Sequence, residues 1–358
     1  MISRHWLGAA GAILTLSSAA APPALAADAP IAWNTAILSR PSAWYATPVA
    51  RRIANNVLSH QSAEGGWPKN TPLVDPARPD ADPGLANTFD NQATTLPLAF
   101  LARMTTATGD PTYAAAFARG LDYTLAAQYP NGGWPQYYPL RGGYHDHITF
   151  NDDAMIRVMR LLRDVAGGRE PYAFVDAPQR TRAADAVQRG VEVILKTQVR
   201  QDGRLTVWCA QHDAQTLEPA WARKFEPPSL SGSESVDIVR FLMEIEHPSP
   251  EVVAAVEGAV AWFKASALRD TRLEPYTNAE GQPDRRLSPS PGADPLWARF
   301  YDLKTHAPIY MGRDSVAHAD LASIERERRM GYAYVGVWPR ALLDDLYPAW
   351  RRRQPPRS

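Results

Sequence analysis

A glutamine recurs along this chain, each time a few residues ahead of a glycine-bearing turn, and that recurrence limits the fold more than any other feature. Gln61 precedes Gly65-Gly66-Trp67-Pro68, Gln128 precedes Gly132-Gly133-Trp134-Pro135, and Gln198 precedes Asp202-Gly203-Arg204-Leu205. The glutamines stand 67 and 70 residues apart, a period that suits a helical hairpin plus a loop, used three times. The intervening chain reads as helix. Asp110 is a good N-cap with Pro111 at the first helical position, and Tyr113, Phe117, Leu121 and Leu125 then make one apolar stripe. Ala184, Val187, Val191, Ile194 and Leu195 make a second, and Ser249-Pro250 opens a helix carrying Val252, Val256, Val260 and Phe263. The expected fold is all-α: an α/α toroid (barrel) of about three helical-hairpin repeats, with long irregular loops gathered at one end as a cleft suited to a polymer. An ordinary helical bundle is the alternative. Ser266–Asp294, rich in proline, glycine and charge, shows no period and reads as a long excursion.

Charge narrows the partners. Thirty-eight basic side chains balance thirty-eight acidic ones, so no global field favours nucleic acid or an acidic membrane. A polyanion would have to meet a local cluster. Thirty-three of the basic residues are arginines, whose planar forks suit carboxylates, although a GC-rich genome gives the same bias. Arg4 and His5, the apolar run that follows and Ala24-Leu25-Ala26 read as a signal peptide over residues 1–26. A membrane anchor is the alternative. No later segment reads as a membrane span, and the lone Cys209 excludes an intramolecular disulfide.

Four clusters could carry chemistry. Thr88-Phe89-Asp90-Asn91-Gln92-Ala93-Thr94 and His145–Met155 each put Asp and Asn oxygens at a helix start, where they suit helix capping or a hard cation such as calcium. His145 with His147, and Cys209-x-x-His212, lack the complementary pair that structural zinc needs. Leu217–Glu234 alternates aromatics, bases and carboxylates through a proline-rich loop, and Trp297–Ser315 sets arginines among aromatic residues. Arginine in such surroundings is costly unless it is paired or awaits an anion.

Together these motifs are specific. Phe89-Asp90-Asn91-Gln92-Ala93-Thr94, Gly132-Gly133-Trp134-Pro135-Gln136, Ile148–Met155, Trp208–Glu234, Arg299-Phe300-Tyr301, Gly312-Arg313-Asp314 and Arg329-Met330-Gly331-Tyr332 occur in this order. From about Ala43 to Leu346 the chain resembles the pectate lyases of polysaccharide lyase family ten. The resemblance implies an α/α toroid that cleaves polygalacturonate by calcium-assisted β-elimination. With the signal peptide removed this is one catalytic domain over residues 27–358, exported to the periplasm or beyond. It implies Arg313 as the catalytic base, and Arg223 and Arg299 as binders of uronate carboxylates. Lys69, Asn70 and Asp90 would line the substrate cleft, and Asp152, Asp90 and Asn91 would serve the Ca²⁺ ion. The family continues its Arg-Asp pair with glycine, where this chain has Ser315. An arginine base requires a pKa lowered by desolvation and by like charges; the alternative is that Arg313 is an electrostatic stabiliser. Two other readings stand beside this one: an inverting glycoside hydrolase pairing Asp152 with Glu226 or Glu234, and a polysaccharide-binding protein in which Trp67 and Trp134 stack on sugar rings.

Overall fold

The computed structural model describes residues 31–354; the expected signal peptide lies outside them. Nine α-helices are described: α1 (Pro48–Ser59), α2 (Thr95–Thr108), α3 (Pro111–Ala126), α4 (Ala154–Gly167), α5 (Ala177–Thr197), α6 (Glu234–Met243), α7 (Pro250–Ala265), α8 (Arg326–Gly331) and α9 (Tyr347–Arg353). Short turns join α2 to α3, α4 to α5 and α6 to α7, so each pair is an antiparallel hairpin, and the three pairs pack tightly. Side by side, α2 meets α4 and α4 meets α6, while α3 meets α5 and α5 meets α7. The result is two rows of helices. The α2–α4–α6 row is buried on most faces, as with Leu98, Phe100, Leu101, Met104, Met155, Met159 and Leu162, whereas α3, α5 and α7 bury one stripe each. Because every short turn lies at one end, the long connections all emerge at the other.

The recurring glutamines and tryptophans hold these connections to the helices. Gln61 donates to Gly65 O and Ala116 O, Gln128 to Gly132 O and Ala186 O, and Gln198 to Thr206 O and Ala255 O. Each glutamine thus closes its own loop and ties it to the next helix of the outer row. Trp67, Trp134 and Trp208 are fully buried, and their indole N–H groups donate to Val57 O, Thr124 O and Ile194 O at 2.8, 2.9 and 2.7 Å. A fourth tryptophan, Trp297, does the same to Phe263 O at 2.8 Å. The repeat therefore runs one step further than the glutamines reveal.

Three sequence expectations need correction. On α5 the buried stripe is Ala183, Ala186, Gly190, Val193, Ile194 and Thr197; of the expected stripe Ile194 is buried, Val187, Val191 and Leu195 pack along its edge, and Ala184 is exposed. Small residues face inward there because Trp134 and Met159 need the room: a Cβ on Gly190 would lie 2.7 Å from the Met159 methyl. The segment after Ser266 is not irregular. Thr271–Thr277 and Pro283–Pro289 form an antiparallel hairpin with Leu273 opposite Leu287. Its prolines disguise strand as loop, since they serve at edges where no N–H is required. Finally, Trp67 and Trp134 are sealed inside the helical array and cannot stack on a sugar. No described helix is long and apolar enough to cross a membrane.

Candidate active site

At the open end the chain makes the same uncommon turn twice. In Phe89-Asp90-Asn91-Gln92-Ala93, Asn91 and Gln92 take φ values of 49° and 64°; in Phe150-Asn151-Asp152-Asp153-Ala154, Asp152 and Asp153 take 49° and 60°. A left-handed residue other than glycine costs about 1–2 kcal/mol, least for Asn and Asp, so four of them mark a geometry imposed by the surroundings. The next loop of the repeat supplies it: Phe89 N–H donates to Gln136 O, and Phe150 and Asn151 N–H both donate to Ala210 O. The two turns also pack against each other. Capping does not explain the acidic residues. Thr94 and Asp153, which stand at the N-caps of α2 and α4, make no side-chain cap bond, and neither Asp90 nor Asp152 accepts from a backbone N–H there.

The first turn carries a cation of its own. Lys69 Nζ lies 2.6 Å from Asp90 Oδ2 and 5.5 Å from the centre of the Tyr137 ring, and Asn91 donates to Asn70 Oδ1 at 2.9 Å. Asp90 Oδ1 is buried without a partner among the described residues, an acceptor still open to a cation or donor. On the second turn Asp152 is half exposed. Its Oδ1 lies 3.3 Å from Arg299 Nη2, and its Oδ2 accepts from the Asn151 amide at 2.9 Å. Arg299 is almost wholly buried and also donates to Glu234, itself sealed beneath it and bonded by the Ser231 hydroxyl. Burial alone would lower the Arg299 guanidinium, but Glu234, Tyr332 and Asp152 hold it well above its ordinary value. Asp153, turned inward, is pushed up to about 6 by burial and by the neighbouring Asp237.

A third charged group borders these two. Arg223 clasps Glu226 through Nε at 2.8 Å and Nη2 at 2.5 Å, and Tyr332 donates to Glu226 Oε1 at 3.0 Å. Burial would raise the Glu226 carboxyl, yet the bonds from Arg223 keep it below the usual range. Tyr332 also faces Arg299, 4.9 Å from its guanidinium, which joins the second and third groups. Arg223, Arg313 and Arg328 all lie over Phe225, at 4.9, 5.3 and 3.7 Å. Arg313 is half exposed and not desolvated as an arginine base would require. It pairs with Glu327 at 2.8 Å, which raises its pKa, and its backbone N–H donates to Glu325. Ser315, where the resembling family has glycine, adopts φ 63°; serine here takes the conformation that glycine adopts freely.

Every residue singled out from the sequence therefore lies on the loops of the open end. Lys69, Asn70, Asp90 and Asn91 form one contact group, Asp152 and Arg299 a second, and Arg223 and Arg313 meet at Phe225. Sequence reasoning missed Glu327 and the buried Arg328, and took Glu234 for a possible acid where it anchors Arg299. Alternating charge in Arg326-Glu327-Arg328-Arg329 was the only available signal. Cys209 and His212 form no metal site: both are buried, and His212 accepts from Cys209 N–H and donates to Leu217 O. Among the described residues no three His, Cys, Asp or Glu side chains gather as metal ligands. The hard oxygens of Asp90, Asn91 and Asp152 on adjoining turns nonetheless suit calcium, provided further oxygens come from water and a ligand.

A family model of pectic acid lyases matches residues 61–343. Two solved structures are similar over 87% of this chain and 95% of theirs, each at 34% identity. One is the family 10 polysaccharide lyase from Cellvibrio cellulosa, with a TM-score of 0.75. The other is a single-residue variant of that enzyme in complex with trigalacturonic acid, with a TM-score of 0.74. No curated protein matches. A mostly helical scaffold with cations and acidic turns on one set of loops, and these likenesses, define a polysaccharide lyase. The chain belongs to the pectic acid lyase family, polysaccharide lyase family 10.

Proposed function

We propose that this protein cleaves polygalacturonate by calcium-assisted β-elimination, leaving 4,5-unsaturated oligogalacturonates. The observation that carries the reading is the pairing of half-exposed Asp152 with Arg299, itself buried on Glu234: one open point offers both a hard anionic oxygen and a fixed guanidinium. The helical rows close on themselves as an α/α toroid, and the described loops line its mouth. The bound trigalacturonic acid of the Cellvibrio cellulosa variant supports the substrate class.

The C5 proton of galacturonate lies α to a carboxylate and is barely acidic. Calcium, held by Asp152 with Asp90 and Asn91 beside it, would supply charge that neutralises this carboxylate. Arg299 and Arg223 receive uronate carboxylates through their planar forks and stabilise the enolate-like charge of the transition state. Arg313, having first released a proton to solvent, takes the C5 proton through its neutral nitrogen. The C5–H electron pair forms the C4–C5 double bond, the C4–O bond breaks, and the departing glycosidic oxygen takes a proton from solvent. In the resting structure Arg313 is held by Glu327, so that pair must open first. With Glu327 released, Arg313 keeps Arg223 and Arg328 beside it over Phe225, and those like charges, with desolvation once substrate covers the loop, would lower its pKa. A hydrolase built on Asp152 with Glu226 or Glu234 is disfavoured because both glutamates are locked under arginines. Residues 27–358 act as one exported unit, in the periplasm or outside the cell, and N-terminal sequencing should begin near Ala27; retention of Met1 in the native host would contradict export.

The test is steady-state kinetics on polygalacturonate with product unsaturation as readout. Arg313→Lys keeps the charge but loses the fork, and should lose orders of magnitude in kcat with little change in KM. Near-normal kcat in Arg313→Lys and Arg313→Ala would remove the arginine from the chemistry.

A further inference from the structure

Tyr144 lies one ring beyond His145 and Tyr137 from the Lys69–Asp90 group, and the chemistry above gives it no role. It lies on the 3-10 turn Gly143–Asp146, entered through Gly142 and Gly143 at φ 83° and 65°. The Asp146 carboxylate accepts from the N–H groups of Arg141 and Gly142, and Tyr129 donates to Asp146 O at 2.7 Å, so the turn is fixed. The Tyr144 ring packs on His145 with centroids 4.0 Å apart, and His145 meets Tyr137 at 5.1 Å. Tyr137 is the ring beneath Lys69. His145 also bonds Gln136 Oε1 at 2.7 Å, and it is the Gln136 carbonyl that pins Thr88 and Phe89 ahead of the first left-handed turn. Tyr144 is thus built onto the support of Asp90 and Asn91. From the other side it lies close enough to feel the charges of Arg223 and Glu226 as well as that of Lys69.

The Tyr144 hydroxyl makes no hydrogen bond among the described residues and is not among their buried unpartnered atoms, so it remains open to a ligand. A tyrosine hydroxyl is a protonated donor at neutral pH, and partial burial raises its pKa further. We propose that Tyr144 is a substrate-binding residue whose hydroxyl donates to a galacturonate unit lying between Lys69 and Arg223. The inference rests on the reading of the cleft as a polygalacturonate site. It assigns Tyr144 to binding that is equal in ground and transition states, since the charged groups that act on it are Arg223, Glu226 and Lys69 and not the Asp152–Arg299 pair.

The experiment compares wild type and Tyr144→Phe, which removes only the hydroxyl, in kinetics on polygalacturonate and in calorimetric titration with trigalacturonate. One lost hydrogen bond predicts a KM about five- to tenfold higher with kcat within about twofold. The trigalacturonate Kd should rise by a similar factor. Equal Kd and KM in the two proteins would overturn the inference while leaving wild-type lysis, and so the lyase reading, intact. A fall in kcat with unchanged KM would also overturn it, since the hydroxyl would then act in the transition state. Run with Arg313→Ala added to both proteins, the titration reads the contact without turnover, so the inference stands or falls even if the wild type forms no unsaturated product. Matched far-ultraviolet circular dichroism and melting curves confirm that the variant folds as the wild type does.

Discussion

Replacing Glu234 by glutamine tests the platform on which Arg299 stands. The Glu234 side chain is 2% exposed and that of Arg299 is 11% exposed, so neither charge has much water. Removing one member of such a pair leaves the other buried alone, at a cost of about 3–5 kcal/mol. Against a typical total stability of roughly 5–15 kcal/mol, Glu234→Ala endangers folding. Glutamine keeps the shape and an acceptor oxygen and loses only the charge. A bond between two charges gives way to one between the guanidinium and a neutral acceptor, with Asp152 left as counter-charge, a difference of about 1–2 kcal/mol. In a chain of this size that corresponds to a fall in Tm of roughly 1.5–3 °C. Freed from its counter-charge, Arg299 should swing toward Asp152, its other acceptor at 3.3 Å, and meet the uronate carboxylate in poorer register. We expect kcat/KM to fall by about tenfold, equivalent to roughly 1.4 kcal/mol. Differential scanning fluorimetry and initial rates on polygalacturonate read both quantities. Wild-type Tm and kcat/KM in Glu234→Gln would refute the reasoning, because the pair would then neither stabilise the fold nor orient the arginine.

Three further outcomes follow from the same geometry. Asp152→Asn should leave the melting temperature within about 1 °C, since no cap bond is lost, yet demand far more calcium for half-maximal rate; wild-type turnover across a calcium titration would remove Asp152 from the ion. Ser315→Gly relieves a left-handed serine and should raise stability by about 1 kcal/mol, measured by urea denaturation, whereas a lower midpoint would mean that the serine side chain is needed there. His212 is buried neutral, its pKa lowered by burial from 6.5 to about 4. The unfolded chain therefore binds more protons between those values, and stability should decline by up to roughly 3 kcal/mol as pH falls from 6.5 to 4; His212→Gln should show a shallower decline, and an identical one would assign the acid limb to other groups.

The parts of this fold that were legible in the sequence are those with an obligatory partner at fixed spacing. Gln61, Gln128 and Gln198 must each satisfy two carbonyls, and the tryptophans must each bond one, so the period survives in the sequence. Trp297 performs the same task, but the inserted hairpin moves it 34 residues beyond Phe263, and the spacing no longer announces it. The candidate site was legible as a set of residues and not as a geometry. Asp90, Asn91 and Asp152 at helix starts have the composition of caps, and only the backbone reveals the left-handed turns that aim them elsewhere. The Arg299 pairing was anticipated from its apolar neighbours, whereas the grip of Glu327 on Arg313 depends on two exposed side chains 14 positions apart and leaves no periodic trace.

The central claim is the elimination reaction, and one time course tests it most directly. Purified protein is mixed with polygalacturonate and the ultraviolet absorbance of the unsaturated uronate is followed, first with calcium, then with excess chelator, then with calcium restored. The account predicts rising absorbance, its arrest on chelation and its recovery on readdition. New reducing ends appearing without ultraviolet absorbance would mean hydrolysis and would contradict it.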